Sequence, residues 1–418
     1  MAYFGDNLFS GAYDDEASYG VQDASAYVAF ESTLPQMSPA REVEELQLSS
    51  PSDMVGRDRV VGSSHGGSLT FGGPLRSQLA TYDADTGAGT ALIEGPLMLL
   101  LREAIGDKTT GTWVSSDIGA GSDANTWEGT AATPAPGDCY GVAADTTGAL
   151  RAAGFIKSVS GFTFTMFEDS IAVPVNGDEL IPMITMYPGG TAPVSKSFKI
   201  VGTDAEHKVT ALGCIPSKVI LDVAPGKQPT AEFTYDVDSF NFYSSGGGLL
   251  TPAAHQRIPA LIGNNGGRLW LDGDTLQDGT AEPMGTCGFA GVRIEIDLEL
   301  GVIPCGGSAS GVATVYVRRR NAKVTFTIPH VSTWITAPMS KFQDSLVNGT
   351  TMSISAMCGD TIGQFFGVLI PAARVIAEPG YGSNDGTMGF TVEMEPTAYD
   401  GDTSGAGAAD APLRVVFG

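Results

Sequence analysis

The residues that could do chemistry are few and poorly placed for it. Four histidines occur, His65, His207, His255 and His330, and none lies in an HExxH run or beside a second ligand at metal-binding spacing. Each reads as a surface or capped histidine, and no zinc or other transition-metal centre is expected. Five cysteines (Cys139, Cys214, Cys287, Cys305 and Cys358) are scattered, odd in number and without a CxxC pair. That usage fits a chain made in a reducing cytoplasm with free, buried thiols. A Cys287–Cys305 bridge across a hairpin is the one pairing worth testing, and it demands a close Cα approach. No GxSxG elbow, no P-loop and no GxGxxG after a strand is present. Gly246-Gly247-Gly248 leads into Leu249-Leu250 with no basic residue close behind, so it makes a poor phosphate cradle. Asp83, Asp85 and Gly87 resemble a calcium loop, but the bidentate Glu of an EF-hand is missing at the needed offset, and the segment reads as a solvated turn. Any two strands could supply a glycosidase carboxylate pair, yet nothing points to one. The sequence therefore offers no catalytic, cofactor-binding or metal site, and the chain reads as a non-enzyme.

The informative charges lie on strands. In Val292–Leu300, Val292, Ile294, Ile296, Leu298 and Leu300 alternate with Arg293, Glu295, Asp297 and Glu299. Side chains alternate across a strand, so one face is core and the other is wet and net negative. The plain reading is an ordinary solvent-facing sheet. The sharper reading makes Glu295, Asp297 and Glu299 the lining of an acidic channel, because a duct for a polyanion must repel its cargo rather than bind it. Arg318-Arg319-Arg320 is a basic cluster, either a solvated strand end or a contact to acidic surface on a neighbouring subunit. The whole chain agrees in sign, with 47 Asp+Glu against 23 Lys+Arg and a formal net charge of −24. That balance excludes a non-specific nucleic-acid binder and a ligand of anionic membranes. Apolar residues make up 42%, enough for a large core, and 55 glycines in 418 residues suggest many turns and short strands. The longest apolar helical run, Pro96–Leu101, is too short to span a bilayer, and MAYFGDNLFSGAYDDEASYG lacks the basic and apolar regions of a secretory signal.

These residues need elements to hold them. Residues 1–45 are polar and rich in small side chains, and read as an extended arm ordered by contact with something else. A strand at Gly67–Phe71 precedes a helix that starts at Pro96, carries apolar Leu97, Leu100, Leu101 and Ile105, and stops at Gly106. Residues 107–154, with Trp113 and Trp127, form either a functional surface insertion or a set of hidden short strands. Strands follow at 161–166, 217–223 and 231–237, the last two joined by a turn at Ala224-Pro225-Gly226-Lys227. A Gly-rich linker at 244–265 separates a first domain, 46–243, from a second, 266–418. The second domain carries strands at 292–300, 322–328 and 351–356, a helix from Pro338 to Val347, and closing strands near 374–377 and 389–395.

The two domains look duplicated. Ile215-Pro216-Ser217-Lys218-Val219-Ile220 resembles Ile370-Pro371-Ala372-Ala373-Arg374-Val375-Ile376, with the prolines 155 residues apart. Pro225-Gly226 and Pro379-Gly380 follow as turns. Leu69-Thr70-Phe71 matches Val324-Thr325-Phe326 before the helices, and Phe162-Thr163-Phe164 matches Met352-Ser353-Ile354 after them. The first copy is longer by insertions near 107–154 and 172–205. Chance recurrence of Ile-Pro and Pro-Gly is the competing explanation, and the shared order of elements favours duplication.

With those residues in view, the chain resembles the tail tube proteins (major tail proteins) of long-tailed bacteriophages. The resemblance rests on Gly62–Phe71 followed by the Gly95-Pro96-Leu97 helix, on Lys208–Cys214 running into the strand–turn–strand unit, and on Lys323–Phe326, Gly363–Pro371 and the final strands. It covers roughly 50–418. It implies a mainly β fold of two tandem β-sandwich or half-barrel domains, each flanked by a helix. Copies would join into a ring-shaped β-barrel, and rings would stack into a tube in the virion, assembled in the host cytoplasm. Three copies would make a pseudo-sixfold ring, six copies a plain hexamer, and two domains per chain favour three. Partners implied by the resemblance are further copies of the chain, a tape measure protein and tail tip or terminator proteins. DNA would pass through the lumen without specific binding, and the family has no active site. The main alternative is a virion or cell-surface β-sandwich adhesin that binds carbohydrate through Trp113, Trp127 or Trp270.

Overall fold

The computed structural model describes residues 9–17, 19–20, 27–32, 35–49, 55–75, 77–78, 93–110, 118–129, 134–143, 150–168, 173–189, 193–201, 208–224, 226–241, 268–271, 274–275, 290–304, 312–329, 337–359, 365–384, 387–399 and 408–418. The fold is mainly β, built of large open antiparallel sheets and two helices. In chain order the elements begin β1 (Phe9–Asp15), β2 (Val28–Ser32), β3 (Gln36–Ser49), β4 (Val55–Pro74), β5 (Ser77–Gln78), β6 (Ile93–Glu94), α1 (Pro96–Ile105) and β7 (Asp107–Thr110). Next come β8 (Thr126–Glu128), β9 (Cys139–Ala143), β10 (Leu150–Ser160), β11 (Thr163–Met166), β12 (Glu179–Pro182), β13 (Ile184–Tyr187), β14 (Lys196–Val201), β15 (Lys208–Val223), β16 (Thr230–Val237) and β17 (Ser239–Asn241). The remainder is β18 (Arg268–Leu271), β19 (Asp274–Thr275), β20 (Gly291–Pro304), β21 (Val312–Pro329), α2 (Ala337–Asn348), β22 (Met352–Cys358), β23 (Phe366–Val375), β24 (Gly380–Asn384), β25 (Thr387–Pro396) and β26 (Arg414–Phe417).

One run of strands crosses the whole molecule. β3 pairs with β4, β4 with β16, and β16 with β15; then β20 pairs with β21, β21 with β25, and β25 with the end of β23. The pairing order of the second group repeats that of the first. β15 and β20 join the groups, from Lys218 opposite Asp297 to Val223 opposite Val292. Alternation sets the faces: Ala231, Phe233, Tyr235 and Val237 of β16 are buried, as are Val292, Ile294, Ile296 and Leu298 of β20.

The Ile-Pro recurrence has a physical meaning in this run. Up to Cys214, β15 pairs with β14 and β17; beyond Pro216 it pairs with β16 and β20, with a register shift between Pro216 and Lys218. β23 likewise pairs with β26 up to Leu369 and with β22 up to Ile370 and again at Ala373, then with β25 from Ala373, with a shift opposite Met352 and Ile354. Proline cannot donate to a ladder and sits well at a bulge, where a strand bends and changes partners.

The helices lie against this run. Pro96 presets the first turn of α1, and Leu97, Met98, Leu100, Leu101, Ala104 and Ile105 are all buried. Gly106 ends it at φ +141°, where a Cβ would sit 2.4 Å from the Gly189 nitrogen, so only glycine fits. α2 buries Phe342 and Ser345 but exposes Asp344, Val347 and Asn348. A single apolar core runs through both halves. It is aromatic in the first, where Phe71 stacks on Tyr235 and Phe198 meets Tyr235 edge-on at 4.8 Å between centroids.

Several expectations change here. Residues 9–15, placed in an extended arm, form β1 between β14 and β2, with Ala12 and Tyr13 buried, because Tyr13 and Phe30 complete the aromatic core. Of the two readings of the 107–154 stretch, the one of hidden short strands holds. The stretch carries β7, β8 and β9, and β8–β12 make a separate five-stranded sheet with its own core around Trp127, Tyr140 and Phe164. Phe162–Phe164 accordingly belongs to this sheet, and the first-half strand that holds the place of β22 beside β15 is β14. Pro379-Gly380 is no hairpin turn: β24 continues from it along β25, Gly380 opposite Thr391. The 244–265 linker, Cys287, Cys305, Trp113 and the 83–87 turn lie outside the described residues.

Candidate assembly surface

The polar face of the eight-strand run carries a dense set of charged side chains. Glu295, Asp297 and Glu299 do share it, as alternation requires. What sequence reasoning missed is that cations from neighbouring strands interleave with them. Arg293 Nη1 lies 3.1 Å from Asp222 Oδ2, and its Nε donates to Glu295 Oε1 at 2.8 Å. Lys218 Nζ sits 3.6 Å from Glu295 and 3.5 Å from Asp297. Lys323 reaches Glu393 at 2.8 Å, and Arg374 pairs with Glu395. Glu299 stands opposite Arg319. The hydrogen bond from Arg293 holds the Glu295 carboxyl below the usual carboxylate range, partly opposed by its desolvation. With Glu232 and Asp236 also exposed on β16, carboxylates outnumber cations on the face. The alternation of 217–223 and 231–237 carried this signal, but the cross-strand register that pairs Lys218 with Asp297 did not show in it.

The Arg318–Arg320 run divides by the same alternation. Arg318 is exposed beside the Tyr316 ring, 6.0 Å from its centroid, and Arg319 is exposed opposite Glu299. Arg320 turns inward: Nε donates to Ala104 O at 3.2 Å and Nη1 to Gly189 O at 2.7 Å. It places a cation at the C-terminus of α1, where the helix dipole favours one. One member of the basic cluster thus pins the two halves of the same chain together.

The run ends in two edges. Among the described residues β3 pairs only with β4, and the outer side of β23 beyond Ala373, continuing into β24, meets no strand. Val375 N–H on that side donates to Ser345 Oγ at 3.1 Å. Long hairpins extend from the run, and the β20–β21 hairpin exposes Val302, Ile303 and Tyr316 near its tip.

Behind the run, the five-stranded sheet docks on the second half. Cys139, Phe155 and Met183 pack with Trp270, Met357, Phe365, Leu369 and Val416. Beside them lies a buried polar joint. Glu168 Oε2 accepts from Phe155 N–H at 3.1 Å, Oε1 has no hydrogen-bond partner among the described residues, and burial pushes the carboxyl up to about 7. Arg414 Nη2 donates to Ala409 O at 2.8 Å and the guanidinium lies 5.1 Å from the Phe167 centroid; burial lowers its pKa to about 10.

Trp127 and Trp270 are buried to 1% and 2% exposure, so neither presents a ring on which a sugar could stack. Among the described residues no group of three or more His, Cys, Asp or Glu could hold a metal ion, and no helix is long and apolar enough to cross a membrane. Cys139, Cys214 and Cys358 are free and buried. The sequence matches no known protein-family profile and no curated protein.

Proposed function

We propose that this chain is a structural tube-forming protein of the phage-tail type: two tandem β-modules per chain, copies joined edge to edge into a ring, and rings stacked into a conduit for DNA. The observation that carries this reading is the run of strands itself. It is made of two four-strand groups paired in the same order, among the described residues it is open at both ends, and one of its faces is apolar and the other charged. An open edge is an aggregation liability unless another chain covers it. A face on which carboxylates outnumber cations lets a polyanion slide past, since fixed negative charge opposes phosphate binding. The exposed tip of the β20–β21 hairpin suits contact between stacked rings.

Negative-stain microscopy of the purified chain tests the reading. Hollow rings or cylinders are expected; a population of isolated compact monomers at every concentration overturns it. The lumen assignment is tested by Asp297→Lys with Glu299→Lys, which leaves the Arg293–Glu295 pair in place. Assembled tubes should persist while DNA passage fails, and unaltered DNA delivery counts against a lumenal position.

A further inference from the structure

We propose that β3 of one copy docks on the β23–β24 edge of the next in the register by which β20 docks on β15, closing three copies into a ring. The docking is argued from the chain's internal junction; the closed ring rests on the tube-forming reading.

The internal junction is a template. A core-facing row runs Phe71, Phe233, Val219 across β4, β16 and β15, and continues onto Ile296 of β20. Anchored on the valines past the two bends, Val219 and Val375, the matching row of the second group runs Val324, Met394, Val375, two residues along β21 from the Leu69–Val324 match read in the sequence, and among the described residues it stops there. Met37 holds in β3 the place that Ile296 holds in β20: Met37 stands opposite Leu69, two residues before Phe71, and Ile296 opposite Ala322, two before Val324. Repeating the junction sets Met37 of one copy opposite Val375 of the next, with Gln36 opposite Ile376.

The edge is built for this exchange. Ile376 N–H donates to Glu393 O at 3.0 Å, so its donor faces inward to β25. Val375 N–H points the other way, to Ser345 Oγ. Ser345 satisfies in the free chain a donor that a β3 carbonyl would take in the ring. The surroundings differ in the same sense: α1 packs against both β15 and β20, and its last-turn Ile105 is 1% exposed, whereas Val347 in the last turn of α2 is 78% exposed. A neighbour's β3 hairpin would lie beside Val347 as β20 lies beside α1.

A cysteine pair tests the register. In the proposed pairing Gln36 and Ile376 form a non-hydrogen-bonded pair with Cα atoms about 4.5 Å apart, within disulfide reach. Both side chains are exposed, so the variants spare the core. In a full-length chain carrying Cys287→Ser and Cys305→Ser, Gln36→Cys with Ile376→Cys should give a covalent trimer under mild oxidation. Each single variant should stay uncrosslinked. The offset pair Ser38→Cys with Ile376→Cys, diagonal at roughly 7–8 Å, should yield at least five-fold less. No linked product from the matched pair, equal yield from the offset pair, or a bridge within one chain overturns the proposal. Linked trimers that never stack into cylinders would keep this docking and defeat the tube; cylinders without matched-pair product would do the reverse.

Discussion

β15 and β23 follow one pairing plan in two settings. Each bends at an Ile-Pro step and then pairs on one side with the last long strand of its group. On the other side β15 is covered by β20, whereas beyond Ala373 β23 meets no strand among the described residues and its Val375 N–H donates to the hydroxyl of Ser345. The covered junction is further locked by Arg320, which reaches from β21 to the end of α1, and by the Lys218, Asp297, Glu295 and Arg293 charges that cross it. The difference is between a junction closed within the chain and an edge laid out on the same backbone plan. Main-chain groups are present at both; the side chains that lock a junction are present at one.

The sharpest way to break this comparison is to place a charge in each junction. Ile296→Asp buries a carboxylate where 2% of the residue is exposed, and should cost more than about 4 kcal/mol of chain stability in urea denaturation. Met37→Asp, at the half-buried open edge, should cost roughly 1–2 kcal/mol yet abolish ring formation by sedimentation. Equal losses of stability would show that the two edges are equally internal.

Next in size is the joint that props the second group from behind. The Glu168 carboxyl has its pKa raised from about 4.5 to about 7, so the fold favours its protonated form. Its contribution is complete below about pH 4.5 and is lost as pH rises through about 7. Glu168→Gln should flatten that part of the stability profile by roughly 3 kcal/mol, measured by thermal melts across the window. An unchanged slope would place the titration elsewhere.

Arg320→Ala leaves the carbonyls of Ala104 and Gly189 without their donor and should cost about 1–3 kcal/mol, while Arg319→Ala should stay within about 0.5 kcal/mol. Ser345→Ala has the smallest expected effect. It leaves Val375 N–H unpaired only in the free chain, so it should lower the concentration needed for assembly a few-fold in light scattering; a higher threshold would mean that Ser345 supports the assembled edge.

The two helices, the Val292–Leu300 alternation and the recurrent Ile-Pro step were legible because each is a local pattern. Apolar spacing gives the helix at Pro96–Ile105, and period two gives the strand over Val292–Leu300, which the structure extends to Gly291–Pro304. The placement of Glu295, Asp297 and Glu299 on one face followed from the same period. Within β8–β12 the strand at 161–166 alone showed in the sequence; β1 and the rest were hidden because Gly, Ala, Thr and Ser break the period there and burial came from partners distant in the chain, as when Phe30 covers Gly11. The split of Arg318–Arg320 was likewise hidden, because a run of identical residues does not say which member the pleat turns inward.

The amino-acid sequence by itself therefore settled the β character, the acidic sign of the surface and which side of β20 faces water, since composition and alternation act over a few residues. Only the tertiary structure decided that Lys218 and Arg293 thread between the carboxylates, that Arg320 belongs to α1, and that β15 has a partner where β23 has an edge. Those facts depend on the register between strands some 75 to 220 residues apart, and the free energy that selects a register lies in contacts across the sheet rather than along the strand.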